Sequence, residues 1–117
     1  ESAYGNLSIM FPMISSIEEL RDAKKVLEEC KKELDIKNIP YKKNIKVGIM
    51  IEIPSAALIS YGLAKECDFF SIGTNDLTGY TMAVDRGNAK VAYLYSTYQP
   101  AVLRAIKRII ECGRKKA

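Results

Sequence analysis

Two carboxylates stand out in this 117-residue chain because folding alone explains their positions poorly. Glu52 lies near the end of an apolar segment, 47–54, and a buried carboxylate needs a cation, a proton or a metal as its partner. Asp76 follows the next apolar segment, 69–72. If these segments are neighbouring parallel strands, both carboxylates lie at the edge where α/β folds place active sites. Two carboxylates, completed by substrate oxygens and water, suit octahedral Mg²⁺.

Each carboxylate also has a purely structural interpretation. Asp76 or its neighbour Asn75 could cap a helix that begins after Gly73, as Asn and Asp commonly do. Glu52 could form an ion pair with an Arg or Lys of an adjacent strand. Their occurrence at matching strand ends favours the functional interpretation.

Arg86 is the third candidate, in a loop that follows Asp76. The guanidinium group is well suited to bidentate contact with a phosphate or a carboxylate. Arg86 could instead be an exposed loop charge, or Asp85 could hold it within the loop.

The composition limits the chemistry that this chain can perform. There are 18 Lys+Arg and 14 Asp+Glu, giving a net charge of +4, and there is no His. The chain therefore lacks the commonest general acid/base, and a phosphoryl group carried on a His must be carried elsewhere. Cys30, Cys67 and Cys112 are odd in number and far apart, so we expect reduced, buried thiols in a cytoplasmic protein.

Other classes of protein are disfavoured. No apolar run approaches the roughly 18 residues of a membrane span. The basic residues are not interleaved with aromatic residues, so nucleic-acid binding is not indicated.

Strands and helices alternate along the predicted chain. Ser16 and Glu19 fit a capping box at the start of the first helix. Pro100 opens the last helix, and a polar stretch from Gly79 to Tyr98 contains a possible short helix. The predicted strands are 8–13, 45–53 and 68–72, and the predicted helices are 17–35, 55–65 and one that begins at 100.

This order predicts an α/β protein with a parallel sheet. The strands are almost continuously apolar, which indicates a sheet covered on both faces. The sheet is either doubly wound or part of a (βα)8 barrel, and a whole barrel needs roughly 250 residues. Because the chain starts abruptly with Glu1, we expect a fragment, whose unpaired strand edges would favour self-association.

Two motifs resemble those of PEP-utilizing enzymes, most closely enzyme I of the bacterial PEP:sugar phosphotransferase system. The longer motif is Phe-Phe-Ser-Ile-Gly-Thr-Asn-Asp-Leu-Thr at 69–78, followed by Val-Asp-Arg-Gly-Asn at 84–88. The segment at 48–57 is similar to that family's metal-binding strand, and 9–14 is similar to the strand before it. Pyruvate phosphate dikinase and PEP synthase share the Gly-x-Asn-Asp core but differ in the arginine segment.

The resemblance implies a specific fold and site. Residues 1–117 would be a fragment of the PEP-binding (βα)8 TIM-type barrel, about three βα units that correspond roughly to strands 4–6. By position, Glu52 and Asp76 match the Mg²⁺ ligands, and Asn75, Asp76 and Arg86 match substrate-binding residues. The parent would transfer the PEP phosphoryl group to a His on a separate domain during sugar uptake. It would dimerise through its C-terminal domain and meet the phosphocarrier protein HPr through its N-terminal domain, in the cytoplasm.

The chain also departs from the family pattern. Gly79 stands where the family usually has Gln. Two further substrate arginines are expected before Glu1, and the acid Cys, in a Met-Cys-Gly-Glu segment, is expected after Ala117. No catalytic residue is therefore expected within 1–117, and we predict that the isolated chain is inactive.

Two alternative functions are weighed beside this one. Mg²⁺-dependent C–C lyases of the malyl-CoA or class II aldolase type also place a Glu and an Asp on successive strands, although the 84–88 segment argues against them. A non-catalytic dimerisation or structural fragment, with the carboxylates as remnants, is the other alternative.

Overall fold

The computed structural model describes residues 4–116 as an α/β unit in which strands and helices alternate. Its strands are β1 (Ser8–Phe11), β2 (Lys46–Ile51) and β3 (Phe69–Ile72). Its α-helices are α1 (Ile17–Ile36), α2 (Pro54–Leu58), α3 (Ser60–Ala64), α4 (Thr74–Met82) and α5 (Pro100–Lys116), with a short 3₁₀ helix at Ala92–Leu94. Across this described range, no helix is both long enough and apolar enough to cross a membrane.

The three strands form one parallel sheet in the order β1-β2-β3. Phe11 pairs with Ile49, which in turn pairs with Phe70, so the three strands are aligned in register. The prediction that the strands before Glu52 and Asp76 are neighbours is confirmed. The α/β class and the parallel sheet are confirmed with it.

The helices pack against one face of this sheet. Because side chains alternate along a strand, Phe11, Ile49 and Phe70 share a face, and all three belong to the core. The opposite face carries Met10 and Phe69, which are exposed and half-buried respectively. The expectation of cover on both faces is therefore met on one face only within residues 4–116.

Gly48 is required by the packing of that second face. A Cβ atom at Gly48 would clash with the ring of Phe69, its partner on the neighbouring strand. The absence of a side chain lets the Phe69 ring lie over the backbone of β2. This ring is the reason that Gly48 is buried although its face of the sheet is open elsewhere.

Two predicted helices differ from those observed. The single helix expected at 55–65 is broken at Ile59 into α2 and α3. Ser60 donates its hydroxyl to the carbonyl of Ala57 at 2.7 Å, a side-chain bond that competes with continuous helix. The helix allowed after Gly73, with Asn75 or Asp76 as its cap, begins earlier, because Gly73 is itself the N-cap of α4.

The first helix shows where a helical stripe is not sufficient evidence of burial. Ser16 caps α1 as predicted, accepting from the amide of Glu19 at 3.2 Å, but the Glu19 carboxylate bonds Ser15 rather than Ser16. Cys30, predicted to be buried, is exposed, whereas Leu27, Lys31 and Leu34 on the same helix are half-buried, so Cys30 lies beside the packed stripe and not on it. Cys67 and Cys112 are buried as predicted.

Replacing Gly48 by Ala should lower the free energy of unfolding by about 1–3 kcal/mol, since Phe69 must move away from its strand. Gly79→Ala is the matched control. Its added Cβ would lie 3.5 Å from the nearest atom, so the mid-helix substitution should be neutral or stabilising by up to about 1 kcal/mol. Urea denaturation of the two variants measures both values, and equal stabilities would contradict this account of Gly48.

Candidate functional site

The site begins where β2 and β3 end. Pairing continues one residue beyond β3, because the amide of Gly73 donates to the carbonyl of Ile51 at 3.0 Å. Glu52 follows Ile51 directly and is only 4% exposed. The buried carboxylate predicted from the sequence is therefore present, beside the backbone that leads into α4.

Glu52 has a hydrogen-bond partner on the first βα loop. Its Oε1 accepts from the amide of Met13 at 2.7 Å. Met13 has φ of 56°, a left-handed conformation that costs a non-glycine residue about 1–2 kcal/mol. The charge-assisted bond thus stabilises a strained turn. The alternative of an ion pair is wrong for residues 4–116, where Glu52 has no Lys or Arg within salt-bridge distance.

Gly73 allows the carboxylate and the helix start to approach each other. A Cβ there would lie 2.8 Å from Oε2 of Glu52 and 2.9 Å from Sδ of Met50. Gly73 is the N-cap of α4, so the second carboxylate oxygen lies against the residue at which that helix begins. A side chain at position 73 would displace the carboxylate.

Asn75 and Asp76 occupy the first turn of α4, and both are exposed. The N-cap is Gly73, and no side chain caps this helix. The interpretation of Asn75 or Asp76 as a cap is therefore wrong, and the Asp76 side chain remains available to a ligand. The Asp76 carboxylate has no hydrogen-bond or ion-pair partner among residues 4–116.

A cavity of about 500 Å³ brings most of the predicted site residues together. Asn75, Asp76 and Arg86 all line it, on α4 and on the loop that follows it. Glu52 is not among the lining residues, so its sharing of one ion with Asp76 stays a prediction. The full lining is Asn75, Asp76, Gly79, Tyr80, Ala83, Val84, Asp85, Arg86 and Tyr95.

The loop that carries Arg86 is fixed by its backbone. Ala83 ends α4 with φ of 53°, and Val84 donates its amide to the carbonyl of Gly79 at 2.9 Å. The Asp85 carboxylate accepts from the amide of Gly87 at 2.8 Å. Asp85 therefore shapes the turn. The pairing with Arg86 that the sequence had allowed is not formed within residues 4–116.

Sequence reasoning missed Tyr95, which contacts Arg86. Nη1 of Arg86 lies 3.5 Å from the Tyr95 hydroxyl, and the guanidinium carbon lies 5.8 Å from the ring centre. The same hydroxyl lies 3.0 Å from the backbone carbonyl of Asn75. Tyr95 belongs to no apolar stripe or short motif, so no local signal pointed to it.

The carboxylates fit a magnesium ion better than a metal held only by the protein. Residues 4–116 contain no group of three or more His, Cys, Asp or Glu placed to hold a metal. Mg²⁺ commonly takes only one or two carboxylates and completes its octahedron with water and substrate oxygens. Oε2 of Glu52 and both oxygens of Asp76 lack hydrogen-bond donors within the described residues, which is compatible with such a role.

Comparison with known proteins identifies the class of this chain. Residues 1–117 match the family described as PEP-utilising enzyme, PEP-binding domain. Because the match extends over the whole sequence, the chain belongs to this family. The resemblance in the motifs at 48–57 and 69–88 is thereby confirmed.

Curated relatives narrow the comparison within this family. The chain is 51% identical over 115 residues to the phosphoenolpyruvate-protein phosphotransferase of Priestia megaterium, covering 98% of the chain and 20% of the relative. It is 53% identical over 115 residues to that of Bacillus subtilis, again with 98% and 20% coverage. With that of Haemophilus influenzae it shares 54% identity over 112 residues, or 96% of the chain and 20% of the relative. The chain thus spans about a fifth of the length of these relatives.

Glu52→Ala should lower the free energy of unfolding by about 1–3 kcal/mol, because the Met13 amide loses its acceptor while the strained turn remains. Glu52→Gln keeps an acceptor oxygen and should lose less than about 1 kcal/mol. Glu29→Ala, on the exposed side of α1, serves as the control. Urea denaturation of the three variants measures these differences in stability. An alanine variant as stable as the glutamine variant would contradict a structural role for Glu52.

Proposed function

We propose that this chain is part of the PEP-binding catalytic domain of a phosphoenolpyruvate–protein phosphotransferase. The observation that carries the proposal is the convergence of Asn75, Asp76 and Arg86 on one cavity, within the sequence motif shared with that enzyme. Identities of 51–54% to phosphotransferases of three bacteria support the assignment over the C–C lyase alternative. The substrate is PEP, and the acceptor is a His outside these residues, which contain none.

The three-stranded sheet is, in this proposal, part of a (βα)8 barrel, roughly its strands 4–6. Three features support this proposal. The strands are parallel, strands and helices alternate along the chain, and the candidate functional groups follow the carboxyl ends of the strands. The open face with Met10 and Phe69 would then face the barrel interior, where further strands would cover it. This explains why helices pack on the other face alone.

Arg86 binds the phosphoryl oxygens of PEP in the proposed reaction. Its guanidinium has five N–H donors, of which one is directed at Tyr95, so the others can bind an anion. Charge spreads over the phosphoryl oxygens in the transition state, and a fixed cation there lowers the barrier. The Asn75 amide, on the first turn of α4, lines the same cavity and would bind another substrate oxygen.

Glu52 and Asp76 are the residues that would hold Mg²⁺. When bound, the ion would neutralise negative charge on the carboxylate and phosphate of PEP. Glu52 is oriented by the Met13 amide through one oxygen, which leaves the other oxygen for coordination. Asp76 is exposed at the cavity and can be reached by an ion that arrives with the substrate.

The remaining properties of the parent follow from the same assignment. It would be a cytoplasmic homodimer, associated through the barrel domain, that passes the phosphoryl group to HPr by way of its N-terminal domain. The 117 residues alone would not catalyse transfer, because the phospho-accepting His and the acid Cys belong to other segments.

Titration of ¹⁵N-labelled chain with PEP and Mg²⁺ together should shift the amide resonances of residues 73–79 and 85–87. Mg²⁺ without PEP should give smaller shifts, since the substrate supplies part of its coordination. Glu52→Gln and Asp76→Asn should each weaken the effect of Mg²⁺. No change with both ligands would favour the alternative of a structural fragment.

In the complete phosphotransferase that contains this chain, Arg86→Ala should reduce kcat for PEP-dependent phosphorylation of the His by about a hundredfold or more. Arg86→Lys should recover only part of this loss, because an ammonium cannot match the planar fork of donors. Arg104→Ala, an exposed arginine of α5 outside the cavity, should leave kcat unchanged. An active Arg86→Ala enzyme would contradict this role for Arg86.

A further inference from the structure

We propose that Tyr95 is a positioning residue, whose hydroxyl fixes Arg86 relative to Asn75 across the cavity. This inference rests on the proposed function, because it concerns how the two substrate-binding residues are held before PEP arrives. It assigns a role to a side chain that neither the motifs nor the carboxylate pattern included.

The hydroxyl of Tyr95 joins two different parts of the site. A phenol has one proton to donate and lone pairs with which to accept. It donates to the backbone carbonyl of Asn75 at 3.0 Å, while the side-chain Oδ1 of Asn75 lies 3.4 Å away. Nη1 of Arg86 donates to the same hydroxyl at 3.5 Å. One atom thus connects the start of α4 to the loop that follows its end.

Arg86 has no competing anchor in the described part of the chain. The neighbouring carboxylate of Asp85 is occupied by the amide of Gly87, and Arg86 forms no ion pair within residues 4–116. Its guanidinium lies 5.8 Å from the centre of the Tyr95 ring, within the range of a cation–π contact. Within residues 4–116, Tyr95 supplies both the hydrogen bond and the cation–π contact of the Arg86 side chain.

This contact matters because an exposed arginine has many rotamers. Ordering such a side chain costs conformational entropy, which binding must otherwise supply. Holding Arg86 by one N–H reduces that cost and leaves the remaining donors for phosphoryl oxygens. A single neutral contact at 3.5 Å also does not neutralise the positive charge that the substrate needs.

The position of Tyr95 is itself well defined. Its amide donates to the carbonyl of Ala92 at 3.0 Å, at the end of the 3₁₀ helix. The side-chain amide of Gln99 donates to the carbonyl of Leu94 at 3.3 Å. The ring is half-buried, whereas Tyr93 and Tyr98 are 78% and 81% exposed. Tyr95 is thus the one tyrosine of this segment that is directed into the site.

The test compares Tyr95→Phe with Tyr93→Phe in the complete phosphotransferase. Tyr95→Phe keeps the ring and removes the hydroxyl, so kcat/KM for PEP should fall about tenfold, while the thermal midpoint should fall only slightly with the loss of one hydrogen bond. Tyr93→Phe, which removes an exposed hydroxyl from the same 3₁₀ helix, should match the wild type. Equal kcat/KM in the two variants would overturn the inference.

A double-mutant cycle separates positioning from general packing. In an Arg86→Lys background, Tyr95→Phe should change kcat/KM less than twofold, because the planar guanidinium that it positions is gone. The same tenfold loss in both backgrounds would overturn the inference. If the wild-type enzyme transferred no phosphoryl group from PEP, the proposed function itself would fail.

A spectroscopic measurement on the 117-residue chain tests the contact without any activity. The Nε–Hε resonance of Arg86 should shift and sharpen in Tyr95→Phe as the side chain becomes more mobile, and it should not change in Tyr93→Phe. An Arg86 resonance that is unchanged by both substitutions would contradict the contact between Arg86 and Tyr95, whatever reaction the enzyme catalyses.

Discussion

The hydrogen bond from the amide of Gly73 to the carbonyl of Ile51 is the interaction on which the site depends. It extends the parallel pairing of β2 and β3 by one residue, so the two chain segments leave the sheet at the same level. Glu52 follows Ile51 at one end of this bond, and the first turn of α4 follows Gly73 at the other end. The register of the parallel strands therefore sets the spacing between Glu52 and the first turn of α4.

Local strain and a missing side chain accompany this arrangement. Met13 is held in a left-handed conformation by its bond to Glu52, and Gly73 leaves only enough room for that carboxylate. A strained residue and a glycine each lower the stability of a fold. Both lie here at the carboxyl end of the sheet. Strain that gathers at one edge of a fold in this way is typical of a site whose geometry is prescribed by a ligand.

The cavity side of the site is built differently. There the groups are exposed and are organised by loop hydrogen bonds, with the Tyr95 hydroxyl connecting Asn75 to Arg86. The buried carboxylate and the exposed cavity are thus held in two different ways. One is set by the register of the sheet, and the other by hydrogen bonds within the loop that follows α4.

The sequence by itself determined the three strands, the cap at Ser16 and the candidates Glu52, Asp76 and Arg86, because apolar runs and motifs are local and carry their own signal. Only the tertiary structure decided the bond between Glu52 and Met13 and the place of Tyr95 beside Arg86. It also decided that Cys30 is exposed on α1. These outcomes depend on distances between segments far apart in the chain, and such distances leave no periodic pattern along it.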